Sequence, residues 1–499
     1  MYKMKQDEII SAVNRLVLSW FEKSKQSLYY FCKVVLGYKD MLLVTHKWLC
    51  DLLEDDSKKR KLILMPRGTF KTSIIGIGYP IWYLLFRNPD KRFLIVSDTY
   101  TNASKVLFKI KFILENNEKL RLIFGDLRGK RWREDEIDIS LRKNYTKEPN
   151  ISCASPDTTR VGQHYDIIIL DDVVTDVNTQ TEEQMRKTVE YFKTLFSILE
   201  PDGMIVINGT RWSNNRWELY QYILDNLKTE FDIYIKQAID KHGHVFFPTR
   251  LSKEKLAEIN KLQGSYIFAC QYLNNPISPD EQIFSHIKTF DSYNEISLKD
   301  LDITITVDPA ISLDRGDYTG IVVCGTDSRG VIYVLDALRF RAKPSDLIEA
   351  LFFLADRWAP RVIGIETVAF QKSLKYYFEE AQIKKQKFLS VIELKPSPDR
   401  SKFMRIVALQ PYLEREQMVV YSKLNNLLEE LMAYPRSNYD DLVDALAYQL
   451  DIVNSSKPQT EEKMIMDEYE QYLEARRQMK AVKPPFRYRF LDRGGEEYD

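Results

Sequence analysis

Eight residues, Pro66-Arg67-Gly68-Thr69-Phe70-Lys71-Thr72-Ser73, lie between a short apolar run and a helix-like segment and combine small residues, two cations and hydroxyls. A loop of this kind ahead of a helix directs backbone N–H groups at an anion, and phosphate is the anion such loops cradle. Lys71 would reach the β- and γ-phosphates of a nucleoside triphosphate. Thr72 carries the hydroxyl that a phosphate-bound Mg2+ needs, and Arg67 is a second cation beside the developing charge. Phe70 departs from the usual pattern, in which glycine precedes the lysine. Further along, IIILDD ends an apolar run on Asp171, suited to hold Mg2+, and Asp172, suited to orient or deprotonate the attacking water. Each feature has a plain alternative: a loop that carries Gly and Lys by chance, or an acid that caps the next helix. Their occurrence within one α/β segment favours a nucleotide site.

A second group consists of acids. Asp308 lies in ITITVDPA, Glu366 ends RVIGIE, and Asp440, Asp441 and Asp444 lie in YDDLVDALAY. Two-metal phosphodiester chemistry needs carboxylates converging from several elements on ions roughly 4 Å apart. Asp441 and Asp444 are spaced to share one helix face. Singly, each acid could equally be a solvated charge or a cap. Lys402 and Arg405 in SKFMRI read as DNA-backbone contacts or as a solvated helix face. The five histidines and five scattered cysteines form no Cys/His metal pattern.

Elements of the right kind surround these residues. Apolar periodicity from Asp7 to Leu53 predicts a helical lead-in over 1–57. KLILMP, RFLIVSD, YDIIILDD and MIVINGT read as parallel strands buried on both faces, giving a first α/β domain over 58–230. A turn-rich stretch over 231–295, with Pro248, Pro276 and Pro279, reads as a linker or subdomain. A second α/β domain over 296–455 opens at DITITVDPA, with GIVVCGT and VIYVLDAL as antiparallel neighbours. A charged tail follows over 456–499. Two aromatic or basic segments, WSNNRWELYQY and LRGKRWRED, could meet DNA or could serve packing and a solvated loop.

Composition sets the outer bounds. The chain has 499 residues, 44% hydrophobic and 29% charged, as expected of folded globular domains. Lys plus Arg and Asp plus Glu both number 72, so net charge gives no global sign of nucleic-acid binding and any such contact must be local. The absence of a paired-cysteine framework fits a reducing compartment, and no apolar run approaches membrane-spanning length.

The motifs, in this order over nearly the whole chain, resemble the large subunit of tailed-phage terminases, the ATPases that package phage DNA. The resemblance implies an α/β architecture in which an ASCE P-loop ATPase domain precedes an RNase H-like nuclease domain. The early arginine of the family's phosphate loop is Arg67 here, and Gly68, Thr69, Phe70, Lys71 and Thr72 complete the loop. The family's coupling motif ends in Gly-Thr, as does Asn208-Gly209-Thr210, which implies a coupling role for Thr210. Thr159-Arg160-Val161-Gly162 looks like the segment that supplies a trans-acting arginine, so Arg160 and a homo-oligomeric ring are implied. His46-Lys47-Trp48 stands where the family contacts adenine, and Asp172 where many relatives carry a catalytic Glu. Asp308, Glu366 and Asp444 match the family's metal-binding acids, with Asp441 as a fourth, and Asp317 in GDYTG is a further match. The implied cofactors are ATP with Mg2+ for the motor and Mg2+ or Mn2+ for the nuclease. The implied partners are double-stranded DNA, a portal protein and a terminase small subunit, with no membrane, in the host-cell cytoplasm and transiently on the procapsid portal. Two other readings stay open: a cellular helicase or repair ATPase fused to a nuclease, and a structural subunit whose altered loop no longer hydrolyses ATP.

Overall fold

The structure, a computed structural model, describes residues 2–158, 162–276, 282–309, 318–341, 343–366, 372–396, 400–437 and 439–455. Arg160, Asp317 and the 456–499 tail lie outside the described residues. The first sheet comprises β1 (Arg60–Leu64), β2 (Phe93–Val96), β3 (Arg128–Trp132), β4 (Glu136–Ile139), β5 (Ile151–Ala154), β6 (Tyr165–Asp171), β7 (Leu199–Gly209) and β8 (Asp232–Ile235). Their order is β3-β4-β5-β2-β6-β7-β1-β8, parallel from β5 to β8 with an antiparallel edge at β3 and β4. Strands such as Phe93–Val96 are buried along their whole length because helices cover both faces, which is why they read as continuous apolar runs. The lead-in is part of this domain: Leu28, Phe31, Cys32 and Leu49 share one core with Ile74, Trp82 and Ile95. Trp82 Nε1 also donates to the Ser24 carbonyl at 2.7 Å.

The second sheet comprises β9 (Lys288–Phe290), β10 (Asp302–Asp308), β11 (Thr319–Thr326), β12 (Ile332–Phe340), β13 (Val362–Glu366), β14 (Val391–Leu394) and β15 (Met418–Tyr421), ordered β14-β13-β10-β11-β12-β15-β9. Neighbours β10, β11 and β12 are antiparallel and the flanking strands pair in parallel. Alternation along β11 builds both layers. Ile321 and Val323 face the helix Pro344–Trp358, while Val322 and Cys324 face the helix Asp441–Ala447. The start expected at 296 falls inside this unit, since β9 pairs with β15 and Ile283 and Phe284 enter the same core as Val322.

The two sheets are joined through a shared helix, Ser265–Leu273. Tyr266, Ile267 and Cys270 pack in the second core, each such burial contributing roughly 1.5–3 kcal/mol for a large apolar side chain. Trp212 packs against both cores, and its carbonyl accepts from Tyr266 Oη at 3.2 Å.

Candidate functional site

The phosphate loop leaves β1 at Leu64 and enters a helix at Thr72, whose first turns are π-wound, a form often found at functional sites. Two residues of the loop take positive φ: Gly68 at 78° and Phe70 at 62°. The second is costly for a residue with a Cβ, on the order of 1–2 kcal/mol. It is stabilised by packing, because the Phe70 ring lies in a cluster with Tyr38, His46 and Phe247 at centroid distances of 5.9, 5.6 and 6.1 Å, under Arg250. The loop thus keeps the backbone turn that glycine normally provides. Thr69 Oγ1 donates to the Pro66 carbonyl at 2.6 Å and closes the turn from within.

Strand order brings β6 and β7 alongside β1, so the ends of all three converge. Thr72 Oγ1 and Asn208 Nδ2 donate to Asp171 Oδ1 at 2.9 and 2.6 Å. Burial, with Asp172 beside it, pushes the Asp171 carboxyl up to about 6 against those two hydrogen bonds and the nearby Lys71. Lys71, itself buried, pairs with Asp172 at 3.1 Å, a contact of charge without good hydrogen-bond alignment at Asp172 Oδ1. Asp172 has φ 48°, which turns its carboxylate from the strand towards the loop. Arg67 is fastened from the other domain's side: its N–H donates to the Gln271 carbonyl at 2.9 Å and Nη1 to Gln271 Oε1 at 3.1 Å. A buried acid whose ionised form burial disfavours, a hydroxyl beside it, and an adjacent lysine suit a Mg2+-bound polyphosphate.

Behind this cluster, Gly209 admits no side chain: a Cβ there would lie 2.0 Å from the Oη of fully buried Tyr220. Gly209→Ala is expected to destabilise the protein by roughly 1–3 kcal/mol, the usual range for overpacking, and to displace Thr210, which is buried next to it. Thermal denaturation checks this, and Tyr220→Phe in the same chain should restore part of the loss. An unchanged melting temperature in Gly209→Ala would refute the packing account.

In the second domain the acids arrive from three elements: Asp308 at the end of β10, Glu366 at the end of the adjacent parallel β13, and Asp444 on the helix Asp441–Ala447. One carboxylate oxygen from each lies within 4.8 Å of the others. The helix is seated by backbone approach and polar ties. The Asp441 carbonyl lies 2.3 Å from where a Cβ on Gly320 would stand, so only glycine fits there. Thr306 Oγ1 donates to the Ala445 carbonyl at 2.6 Å, and Gln449 bridges Thr304 and Thr306. Glu430, buried and paired with Arg339, accepts from the N–H groups of Leu442 and Val443 at 2.9 and 3.2 Å and so anchors the helix start.

Two ionised carboxylates at such separation repel by roughly 3 kcal/mol at an effective dielectric of about 20. Burial, then the neighbouring Asp444 and a hydrogen bond with Glu366, holds Asp308 well above the usual carboxylate range. Burial also raises Asp444, opposed by Lys402 and Arg405. Arg405 grips Asp444 with Nε and Nη2 at 2.7 to 2.9 Å, and Lys402 Nζ lies 3.2 Å from Asp444 and 3.0 Å from Asp440. Burial would lower Lys402, yet Asp444, Asp440 and Asp308 carry it above its ordinary value. The unmet need is for positive charge, and an all-oxygen donor set selects hard ions such as Mg2+ or Mn2+.

Placement differs from the expectations at several residues. Asp441 does not join the group formed by Asp308, Glu366 and Asp444. Arg405, read as a DNA contact or part of a solvated face, is buried against Asp444, while Lys402, whose side chain is 43% exposed, reaches Asp440 and Asp444 from the solvent side. His46, expected at adenine, is fully buried, with burial pushing it down to about 4, and it packs edge-on to Phe70 and Phe247. Gln271 and Glu430 went unread, since neither belongs to a motif.

A phosphate-loop α/β domain followed by an acid-centred RNase H-like domain is the class that this fold and these sites define. Residues 305–451 match the family described as the terminase RNaseH-like domain. The large terminase of a thermophilic bacteriophage, in its second crystal form, is similar over 84% of this chain and 98% of its own, with 13% identity and a TM-score of 0.51. The ADP complex of that protein is similar over 79% and 94%, with 11% identity and a TM-score of 0.47. The large terminase nuclease from thermophilic phage G20c with bound magnesium is similar over 34% of this chain and 95% of its own, with 18% identity and a TM-score of 0.25. No curated protein matches the chain. The second domain thus matches the terminase RNaseH-like family, and the fold of the whole is similar to that of a large terminase. No helix among the described residues is long and apolar enough to cross a membrane.

Proposed function

We propose that the chain is the motor and nuclease of phage DNA packaging: it hydrolyses ATP to move double-stranded DNA into a procapsid and cuts concatemeric DNA. The observation that carries this reading is the convergence of Asp308, Glu366 and Asp444 in a domain that matches the terminase RNaseH-like family. A phosphate loop in the preceding domain, tied to that domain through Gln271, supports the motor half.

In the motor, the loop N–H groups from Gly68 to Thr72 and the Lys71 ammonium bind the phosphates. Thr72 and Asp171 hold Mg2+, which supplies charge neutralisation to the phosphate oxygens when bound. When Lys71 turns to phosphate it leaves Asp172, whose freed carboxylate orients the attacking water. Arg67 faces the charge that develops on the transferred phosphoryl group. Arg160 does the same for a neighbouring copy, so the active form is a ring on a portal protein, loaded by a small subunit. Thr210, next in sequence to the strand that carries Asn208, couples hydrolysis to movement. In the nuclease, Asp308, Glu366 and Asp444 hold Mg2+ or Mn2+, which supplies Lewis acidity at the scissile phosphate.

The test is made on the purified full chain: phosphate release with Mg2+ and ATP, with and without double-stranded DNA, alongside plasmid cleavage with Mg2+ or Mn2+. DNA-stimulated hydrolysis together with metal-dependent cutting is expected. A folded protein that does neither overturns the reading.

A further inference from the structure

We propose that Gln271 is a positioning residue for ATP hydrolysis, aiming the Arg67 guanidinium at the phosphates while leaving its charge free. This rests on the motor reading above and refines it. Gln271 holds Arg67 at both ends. The Arg67 N–H donates to the Gln271 carbonyl at 2.9 Å, and Arg67 Nη1 donates to Gln271 Oε1 at 3.1 Å. One residue thus fixes the loop backbone at Arg67 and the far end of its side chain, so the bonds between them lose their rotational freedom. Gln271 is 4% exposed, whereas Arg67 faces solvent, so a packed side chain orients an exposed one.

The support behind Gln271 is firm. It lies in the last turn of the helix Ser265–Leu273, where carbonyls have no partner within the helix. The first domain supplies those partners: Arg67 for the Gln271 carbonyl, and the Ala238 N–H for that of Tyr272 at 2.7 Å. Asn274, which caps the helix at φ 48°, donates from Nδ2 to the Lys236 carbonyl at 2.8 Å and accepts from the Arg211 N–H at 3.1 Å. The negative end of the helix dipole also favours a guanidinium there.

The amide suits the task better than an acid would. A guanidinium has five N–H donors. Among the described residues its hydrogen bond is to Gln271 alone, through Nη1, which leaves Nε and Nη2 for phosphate oxygens. An amide oxygen orients the cation without neutralising it, and a carboxylate in its place would pair with the charge that the phosphates need. A competing acid is near: burial raises the Asp176 carboxyl, and Arg67 is among the groups that oppose the rise. An untethered Arg67 is drawn to that acid and away from the phosphates.

The experiment measures phosphate release by the full-length protein over a range of ATP concentrations, with Mg2+ and double-stranded DNA. The variants are Gln271→Met, Gln271→Glu, Arg67→Met, and Gln271→Met combined with Arg67→Met. Gln271→Met keeps the length and the carbonyl contact but removes the amide. Its kcat is expected to fall roughly 10- to 100-fold, the cost of a misaimed catalytic group, with KM unchanged because the aim matters only as charge develops. Gln271→Glu keeps the hydrogen bond but pairs the guanidinium, and its kcat should fall as well. In the Arg67→Met background, Gln271→Met should change kcat by less than about 2-fold, since it acts through the arginine. Thermal denaturation shows which variants fold, and Gln271→Glu decides the matter where Gln271→Met does not. Wild-type kcat in either folded single variant overturns the proposal. Equal losses with and without Arg67 also overturn it, because Gln271 would then serve the fold alone, and the motor reading would stand. No hydrolysis by the folded wild type removes the motor reading itself.

Discussion

Asp308→Asn protein is expected to lose metal-dependent plasmid cleavage by at least about 1000-fold, which corresponds to several kcal/mol of transition-state stabilisation, while its ATP hydrolysis stays at the wild-type rate. The asymmetry follows from where the residue lies. Asp308 ends an interior strand of the second sheet, its carboxyl shares a hydrogen bond with Glu366, and it contacts nothing in the first domain among the described interactions. Asparagine keeps the size and removes the charge, so the fold should survive, and relief of crowding between Asp308 and Asp444 should if anything stabilise it. Thermal denaturation measured with the nicking assay separates a lost site from a lost fold. If the folded variant nicks plasmid at the wild-type rate, the acid centre has been assigned to the wrong residues.

The converse experiment concerns Lys71. Replacement by Ala is expected to lower ATP hydrolysis by roughly 100- to 1000-fold, the usual effect of deleting one preorganised donor to a developing charge, and to leave plasmid cleavage intact. Lys71 is buried against Asp172, so truncation leaves that carboxylate without its partner and also opens a small gap. Lys71→Met fills the gap, and the two variants should behave alike if charge at phosphate is what matters. Phosphate release gives the rate, and plasmid cleavage on the same preparation shows whether the second centre is untouched. Hydrolysis at the wild-type rate in Lys71→Met would remove the loop from the motor.

Much of this arrangement was legible in the chain because strand ends and motif spacing are local signals. The runs KLIL, IIIL and MIVI announce parallel strands, and the polar residues that end them, Asp171 and Asn208, had to meet once β6 and β7 lay beside β1. Asp308 and Glu366 were visible for the same reason, as the acidic ends of two apolar runs. What periodicity reports, however, is which face of an element is buried and not which partner covers it. Phe70 read as a blemish in the loop because Tyr38 and His46 of the lead-in and Phe247, which hold its ring, come from two remote segments. Arg405 looked solvated because nothing nearby in sequence shows that Asp444 packs against it. Glu430 anchors the helix of Asp444 from an unremarkable acidic helix, with no motif to mark it.

The shared helix Ser265–Leu273 touches both domains. It is about 13 Å long at 1.5 Å per residue, and Gln271 near one end holds Arg67 of the phosphate loop while Tyr266 and Ile267 at the other are embedded in the nuclease core. Arg67 of the phosphate loop and the second core therefore rest on one and the same helix. A substitution in that helix, unlike one in a free linker, would touch the surroundings of both candidate sites at once.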